Sequence, residues 1–221
     1  MAQLDGPRFG PLAGGPARQL VVLLHGVGAD GRDLIDLAPA WARALPEAAF
    51  VAPNAPAPCD MAPFGRQWFS LQDRSPVSLA AGVRAVAPMV EAFLEAELAR
   101  LSLPPSALAL MGFSQGAMTA LFTGLRRVTA PAAILAYSGA LLAPESLAAE
   151  IACRPPVLLV HGEADDVVPV QASRMAEATL RAAGVPVRAL YIPGLAHGID
   201  DAGVAAGAKA LRQGFGLGPD T

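Results

Sequence analysis

The sequence predicts an α/β protein whose central sheet is mostly parallel and is flanked by helices on both faces. Short apolar runs of strand length alternate along the 221 residues with longer segments of helical periodicity. Strands that are apolar throughout are typical of a parallel sheet with both faces buried, and helical segments supply the crossover connections that parallel strands need. We expect a lead-in segment over residues 1–18 and a single domain over residues 19–221.

Strands are predicted where short, predominantly apolar runs have the length of a buried strand. They are residues 20–24, 49–52, 107–111, 132–137, 156–160 and 187–192. Helices are predicted where apolar residues recur at spacings of three and four, most clearly at Val83, Val86, Val90, Phe93 and Leu94. The predicted helices are residues 33–45, 77–101, 115–126, a short helix near 144–152, 169–183 and 201–213.

The connections between these elements limit how a site could be covered. Fewer than twenty residues separate strands 132–137 and 156–160, which leaves no room for a helical cap domain there. Residues 53–76 form a long irregular segment. We therefore expect an open site with this segment as its wall.

Composition narrows the possible partners. The net charge is −3 and no basic run occurs, so nucleic acid and anionic membrane surfaces are unfavourable partners. No apolar run approaches the about 20 residues of a membrane-spanning helix, and no secretory signal pattern opens the chain. Cys59 and Cys153 are expected to be reduced thiols. These features predict a cytoplasmic protein without stable membrane association.

The most informative motif is Gly112-Phe113-Ser114-Gln115-Gly116, which lies between a predicted strand and a predicted helix. A serine on a sharp strand-to-helix turn, with glycines two positions away on each side, is typical of a nucleophile elbow. The turn exposes the serine hydroxyl and points the next backbone N–H and the helix N-terminus toward a developing oxyanion. The motif indicates acyl-transfer chemistry with Ser114 as the nucleophile.

A serine nucleophile needs an imidazole base. Of the histidines that follow Ser114, His161 closes its own strand and is interpreted as a structural residue. His197 lies in the loop directly after strand 187–192, where a water-accessible base is expected.

The acid that orients the base should lie between the serine and the histidine, just beyond a strand. The segment after strand 156–160 supplies three carboxylates. Asp165 is the first choice, Asp166 the second and Glu163 a distant third. Because adjacent side chains usually point apart, only one of the two aspartates should reach the imidazole.

An oxyanion hole needs two backbone N–H donors. Gln115, directly after the nucleophile, should supply one, and Val27, in the Gly-rich loop after the first core strand, should supply the other. The Gly26-x-Gly28 pair in that loop is too short for a dinucleotide site. This chemistry requires no metal and no organic cofactor.

Six motifs occur in an order that resembles the phospholipase/carboxylesterase family, which includes bacterial carboxylesterases and acyl-protein thioesterases. They are Leu24-His25-Gly26-Val27-Gly28-Ala29-Asp30-Gly31, Ala52-Pro53-Asn54-Ala55-Pro56, Gly65-Arg66-Gln67-Trp68-Phe69, Gly112-Phe113-Ser114-Gln115-Gly116, His161-Gly162-x-x-Asp165 and Gly194-x-x-His197-Gly198. The similarity extends from Leu20 to Phe215 and implies an α/β-hydrolase fold without a cap domain.

The resemblance implies a triad of Ser114, Asp165 and His197, with Val27 and Gln115 as oxyanion donors. It resolves the choice of acid, because the acid of the family pattern stands four residues after the strand-end histidine. It is also compatible with a homodimer.

For the substrate, the sequence indicates Trp68 and Phe69 as candidate pocket residues, and the resemblance adds Val167. We expect a carboxylesterase that acts on small-molecule esters of small or medium acyl chain. The alternatives are an acyl-protein thioesterase or lysophospholipase-like enzyme, a small serine peptidase, and a hydrolase-fold binding protein without activity.

Overall fold

The structure, a computed structural model, describes residues 4–218. Its strands are β1 (Arg8–Phe9), β2 (Gln19–Leu24), β3 (Ala48–Val51), β4 (Ala57–Pro58), β5 (Arg66–Gln67), β6 (Leu108–Phe113), β7 (Ala133–Tyr137), β8 (Val157–Gly162) and β9 (Val187–Ile192). Its helices are α1 (Gly31–Ile35), α2 (Ala38–Ala44), α3 (Pro76–Leu101), α4 (Gln115–Gly124), α5 (Leu147–Glu150), α6 (Gln171–Ala182) and α7 (Asp201–Gly214).

The described strands form one large sheet and one small one. Seven strands pair in the order β1-β3-β2-β6-β7-β8-β9, and all of these pairs are parallel except β1 with β3. Strands β4 and β5 form a separate antiparallel pair. The predicted fold class, a mostly parallel sheet flanked by helices, is confirmed.

Side chains of each central strand alternate between two cores, as the two-residue period of a strand requires. In β6, Leu108 and Leu110 pack into the core that α3, α4 and α6 cover. Ala109 and Met111 of the same strand pack into the core on the other face, with α1, α2 and α7. Because both faces are buried, the central strands are apolar at nearly every position.

Several predicted elements are divided or supplemented in the structure. The helix predicted over residues 33–45 is two helices, because Pro39 has no backbone N–H to donate to a carbonyl of the preceding turn, so α1 ends at Ile35 and α2 starts at Ala38. The irregular segment 53–76 contains the β4–β5 pair. Each of its strands has two residues, which is too few to show the alternation of apolar and polar residues that marks a strand. The short helix near 144–152 is a 3₁₀ turn over residues 144–146 followed by α5.

One helix corrects the expectation about membrane-length segments. By length and composition alone, α3 is long and apolar enough to cross a membrane. The sequence count missed it because isolated charges such as Arg84 and Glu91 interrupt the apolar run while alanines keep the mean hydropathy high. In the structure, the stripe that includes Val83, Val90 and Leu94 is buried in the core. A core helix passes the same test, so this finding is weak evidence for a membrane span.

Both cysteines are free thiols. Cys153 is buried and its Sγ lies 3.1 Å from the carbonyl oxygen of Gly124. Burial raises the pKa of this thiol, which keeps it in the unreactive neutral form.

Candidate active site

Ser114 stands on the turn between β6 and α4. Its backbone has φ 54° and ψ −117°, a conformation that is strained for a residue with a side chain. The backbone N–H of Ser114 donates to the carbonyl of Tyr137 at 2.8 Å, which ties the turn to the end of β7. The sequence-predicted strand, turn and helix are therefore the ones that hold this serine.

The two glycines of the motif let α4 lie directly against the sheet. A Cβ on Gly116 would overlap the backbone carbonyl of Leu24 in β2. A Cβ on Gly112 would overlap the carbonyl of Gly116 itself. Because both obstacles are backbone atoms, no side-chain rotation could relieve either overlap.

We expect Gly116→Ala to lower the free energy of unfolding by about 3 kcal/mol or more, since the added methyl group must displace β2 or α4. Gly218→Ala is the matched control, because nothing lies within 4 Å of its Cβ position and its φ is not positive. Chemical denaturation of both variants gives the comparison. Equal stabilities would show that the close approach of α4 to β2 does not constrain the elbow.

Asp165 and His197 are brought together from the loops that follow β8 and β9. The Nδ1–H of His197 donates to Oδ2 of Asp165 at 2.7 Å. The backbone N–H groups of Val167 and Val168 donate to Oδ1 at 3.0 and 2.8 Å. Burial alone raises the pKa of Asp165, but the hydrogen bonds from His197 and the two amides outweigh it and hold that pKa below its ordinary value. Asp165 is thus an ionised, fully bonded partner of the imidazole.

The two other candidate carboxylates are oriented elsewhere. Asp166 is exposed. Glu163 pairs with Arg174 of α6 at 2.7 Å. Of the three, only Asp165 has a hydrogen bond with His197 among the described residues.

His197 lies beside the elbow. Its ring centroid is 4.8 Å from that of Phe113, the residue before Ser114, and its side chain is 17% exposed. Within residues 4–218 the Ser114 hydroxyl has no hydrogen-bond partner, so the structure does not join it to the imidazole. Catalytic hydrogen bonds of unliganded enzymes are often long and tighten on substrate binding.

His161 contacts the same carboxylate, which sequence reasoning missed. This residue is 1% exposed at the end of β8, as the structural interpretation implied. Its Nε2, however, lies 3.2 Å from Oδ2 of Asp165. Although two imidazoles flank this carboxylate, no group of three His, Cys, Asp or Glu in the described part of the chain is placed to hold a metal ion.

The candidate oxyanion loop is held by the β5 segment. Gly28 donates its N–H to the carbonyl of Arg66 at 2.9 Å, and Arg66 donates its own N–H to the carbonyl of Ala29 at 2.8 Å. Val27, directly before Gly28, has no partner for its N–H within the described chain. The N–H of Gln115 lies in the first turn of α4, where N–H groups lack intrahelical partners. Neither predicted donor N–H therefore has an intramolecular partner among the described residues, and their role as oxyanion donors stays a prediction.

A family model described as phospholipase/carboxylesterase matches residues 12–213. The chain belongs to the phospholipase/carboxylesterase family. It is 28% identical over 197 residues to esterase YpfH of Escherichia coli K12, a match that covers 89% of this chain and 83% of that protein.

Two further relatives support the same assignment. Acyl-protein thioesterase 1 of Neurospora crassa is 28% identical over 195 residues, with 80% of this chain and 79% of that protein covered. The crystal structure of esterase PE8 matches with a TM-score of 0.92 at 45% identity, and the match covers 96% of this chain and 99% of that one. The family predicted from the motifs is confirmed, and this member of it is a serine hydrolase of carboxylic esters.

In this phospholipase/carboxylesterase family member, the aromatic residues predicted to line a pocket lie beneath the oxyanion loop. Trp68 and Phe69 are 3% and 6% exposed and belong to the core. The Trp68 indole N–H donates to the carbonyl of His25 at 2.8 Å. The buried Gln115 side chain accepts from the Trp68 N–H at 2.9 Å and donates to the Phe69 carbonyl at 2.7 Å. These contacts link the loop to the first residue of α4, while a pocket role for either aromatic stays a prediction.

Val167 differs from the two aromatics, since 54% of it is exposed. It lies two residues after Asp165 in the loop that follows β8, and its N–H donates to Oδ1 of Asp165. An exposed apolar side chain at this position is accessible to a substrate, and the substrate contact predicted for Val167 stays a prediction.

His25 completes the support of the oxyanion loop. Its Nδ1–H donates to the carbonyl of Gly26 at 2.7 Å, and its Nε2 accepts the N–H of Ala55 at 3.0 Å. Only the neutral imidazole can make both bonds, because the protonated ring has no acceptor. Burial is the main cause that lowers the pKa of His25.

The pKa of His25 is lower in the folded chain than in the unfolded chain. As the pH falls, the unfolded chain therefore protonates this imidazole at a higher pH than the folded chain does. The contribution of His25 to the free energy of unfolding is fully present above about pH 6.5, and it is lost as the pH falls through the folded-state pKa. We expect the melting temperature to fall more steeply between about pH 7 and pH 5 in the wild type than in His25→Gln, whose amide can replace the bond with Ala55 but cannot titrate. Parallel slopes would contradict this assignment.

Proposed function

We propose that this enzyme cleaves carboxylic esters through an acyl-serine intermediate formed on Ser114. The observation that supports it most is the 2.7 Å hydrogen bond between Asp165 and His197, which lies beside the strained turn that carries Ser114. A buried carboxylate on Nδ1 leaves Nε2 of the imidazole as the proton acceptor.

In the first half of the reaction, the Ser114 hydroxyl attacks the ester carbonyl and His197 takes its proton. The negative charge that develops on the carbonyl oxygen accepts hydrogen bonds from the N–H groups of Val27 and Gln115, and the N-terminus of α4 favours it further. His197 then protonates the leaving alkoxide. In the second half, His197 removes a proton from a water molecule that attacks the acyl carbonyl. The bond between the acyl carbon and the Ser114 oxygen then breaks, and His197 returns the proton to that oxygen, which releases the acid and restores Ser114.

The substrates proposed are esters of small or medium acyl chain. Residues 138–156 join β7 to β8 and contain only a 3₁₀ turn and the four-residue helix α5, so they provide no cap. An uncovered site encloses little of a long chain, which limits the binding energy available from it.

Thioester hydrolysis is the second candidate, favoured by the similarity to acyl-protein thioesterase 1 of Neurospora crassa. The same hydroxyl attack and the same oxyanion donors serve an acyl thioester, since the two substrates differ only in the leaving group.

A substrate panel distinguishes the candidates. We would measure kcat/KM for aryl esters from acetyl to dodecanoyl, the matching acyl-CoA thioesters, a lysophospholipid and a peptide, with Ser114→Ala as the blank. The proposal predicts the highest values for short and medium esters. A preference for thioesters of every chain length would favour the second candidate, and turnover of the peptide alone would contradict both.

A further inference from the structure

Gly162 is the last residue of β8, and the loop that carries His197 lies directly against it. It is buried and pairs in register with Ile192, the last residue of β9. After β9 the chain turns, with the N–H of Leu195 donating to the carbonyl of Ile192 at 3.4 Å. A Cβ on Gly162 would overlap the carbonyl oxygens of Leu195 and Ala196, the two residues before His197. The backbone that leads to the imidazole therefore occupies the space that a side chain at residue 162 would need.

Backbone hydrogen bonds join this loop to the loop that carries the acid. The N–H of Ala164 donates to the carbonyl of Leu195 at 3.0 Å, and the N–H of Asp165 donates to the carbonyl of Gly162 at 3.3 Å. The acid loop is therefore bonded to the base loop one residue before Asp165. The 2.7 Å hydrogen bond between the Asp165 carboxylate and the His197 imidazole is made within this frame.

The contact at Gly162 is a matter of space rather than of backbone conformation. The φ of Gly162 is not positive, so its backbone is one that a residue with a side chain can adopt. Strand β8 is paired with β7 on one side and with β9 on the other, which holds it in place. A methyl group on residue 162 would instead displace the base loop by about 1 Å to restore van der Waals separation from its two carbonyls.

We propose that Gly162 is a positioning residue for the base: its lack of a side chain lets the chain before His197 lie against the end of β8, which sets the position of the imidazole relative to Asp165 and Ser114. This role rests on the proposed function of these three residues. Proton transfer between the hydroxyl and the imidazole depends on their separation, and a displacement of about 1 Å can cost about 100-fold in rate.

Two glycine-to-alanine variants on either side of this contact test the proposal. We expect Gly162→Ala to lower kcat about 100-fold with KM changed less than about threefold, measured well below its melting temperature. Gly198→Ala is the matched control, because it adds the same methyl group beside His197 where nothing lies within 4 Å of the Cβ position and φ is not positive. Its kcat should stay within about twofold of wild type.

A double-mutant cycle distinguishes an effect through His197 from a general loss of packing. The rate at which a fluorophosphonate labels Ser114 is measured with and without Gly162→Ala, in the wild type and in His197→Ala. We expect Gly162→Ala to slow labelling about 100-fold in the wild type and less than about threefold in His197→Ala, because the base that it displaces is already absent there. Equal slowing in both backgrounds would overturn the proposal.

Native-state amide hydrogen exchange of the wild type gives a readout that needs no variant, and it decides the matter if Gly162→Ala does not fold. We expect the Ala164 N–H to be protected to about the same degree as the amides that join β8 to β9, since its bond to Leu195 closes the two loops. Free exchange of this N–H would overturn the proposal, because the base loop would then not be held against β8.

A folded Gly162→Ala enzyme whose kcat falls less than about tenfold would also overturn the proposal. A Ser114→Ala enzyme that keeps its activity would instead refute the proposed function, so the two failures are distinguishable.

Discussion

Replacement of Ser114 by alanine is expected to lower kcat by about 10⁴- to 10⁶-fold. The hydroxyl is the only group at the elbow that can form the acyl bond, and without it the imidazole can only activate water at a poorly placed position. The turn itself should survive, because alanine has the same backbone requirements at φ 54° and the hydroxyl makes no hydrogen bond among residues 4–218. Burst and steady-state kinetics with an activated aryl ester measure the effect.

Ser106→Ala is the matched control for this measurement. Ser106 is exposed and lies just before β6, at the opposite end of the strand that leads to Ser114. Its removal should leave kcat within about twofold of wild type. A Ser114→Ala enzyme that retains more than about a hundredth of wild-type activity, free of contaminating esterase, would contradict the role assigned to the serine.

Asp165→Asn should reduce kcat by about 10⁴-fold. The N–H groups of Val167 and Val168 both donate to Oδ1, so the amide oxygen of asparagine must occupy that position and its NH₂ the position of Oδ2. The NH₂ would then donate to Nδ1 of His197, which leaves the proton on Nε2. An imidazole with a proton on Nε2 cannot accept the proton of Ser114.

The neighbouring aspartate provides the control for that substitution. Asp166→Asn removes the same charge from an exposed position that solvent and salt screen, and kcat should change by less than about twofold. A rate profile against pH for both variants completes the comparison. If Asp166→Asn proved the more damaging change, the acid would have been assigned to the wrong residue.

The sequence predicts the strands and the site residues better than the contacts between them. Strand β9 was predicted at its observed bounds, because its mostly apolar run is bounded by Pro186 on one side and by Pro193 and Gly194 on the other. The elbow was recognisable since its glycines are a local requirement of the turn. In contrast, the two-residue strands β4 and β5 are too short to show an alternating pattern, and the burial of Trp68 could not be inferred from residue type alone.

Most of the contacts that sequence reasoning missed are long-range. The bond from the Trp68 indole to the His25 carbonyl joins residues 43 positions apart, and the bond from Gln115 to Phe69 joins residues 46 apart. The contact between His161 and Asp165 spans only four positions, but it depends on the loop turning back over the end of β8. Residue spacing carries no signal for such a turn, so the second imidazole became visible only in the structure.

The most direct test of the proposed chemistry is covalent labelling with a fluorophosphonate, followed by intact-mass and peptide mass spectrometry. We predict one phosphonyl group per chain, attached to Ser114, with esterase activity lost in proportion to labelling and no label on Ser114→Ala. Labelling of a different residue in parallel with inactivation, or full activity after Ser114 is modified, would contradict the account.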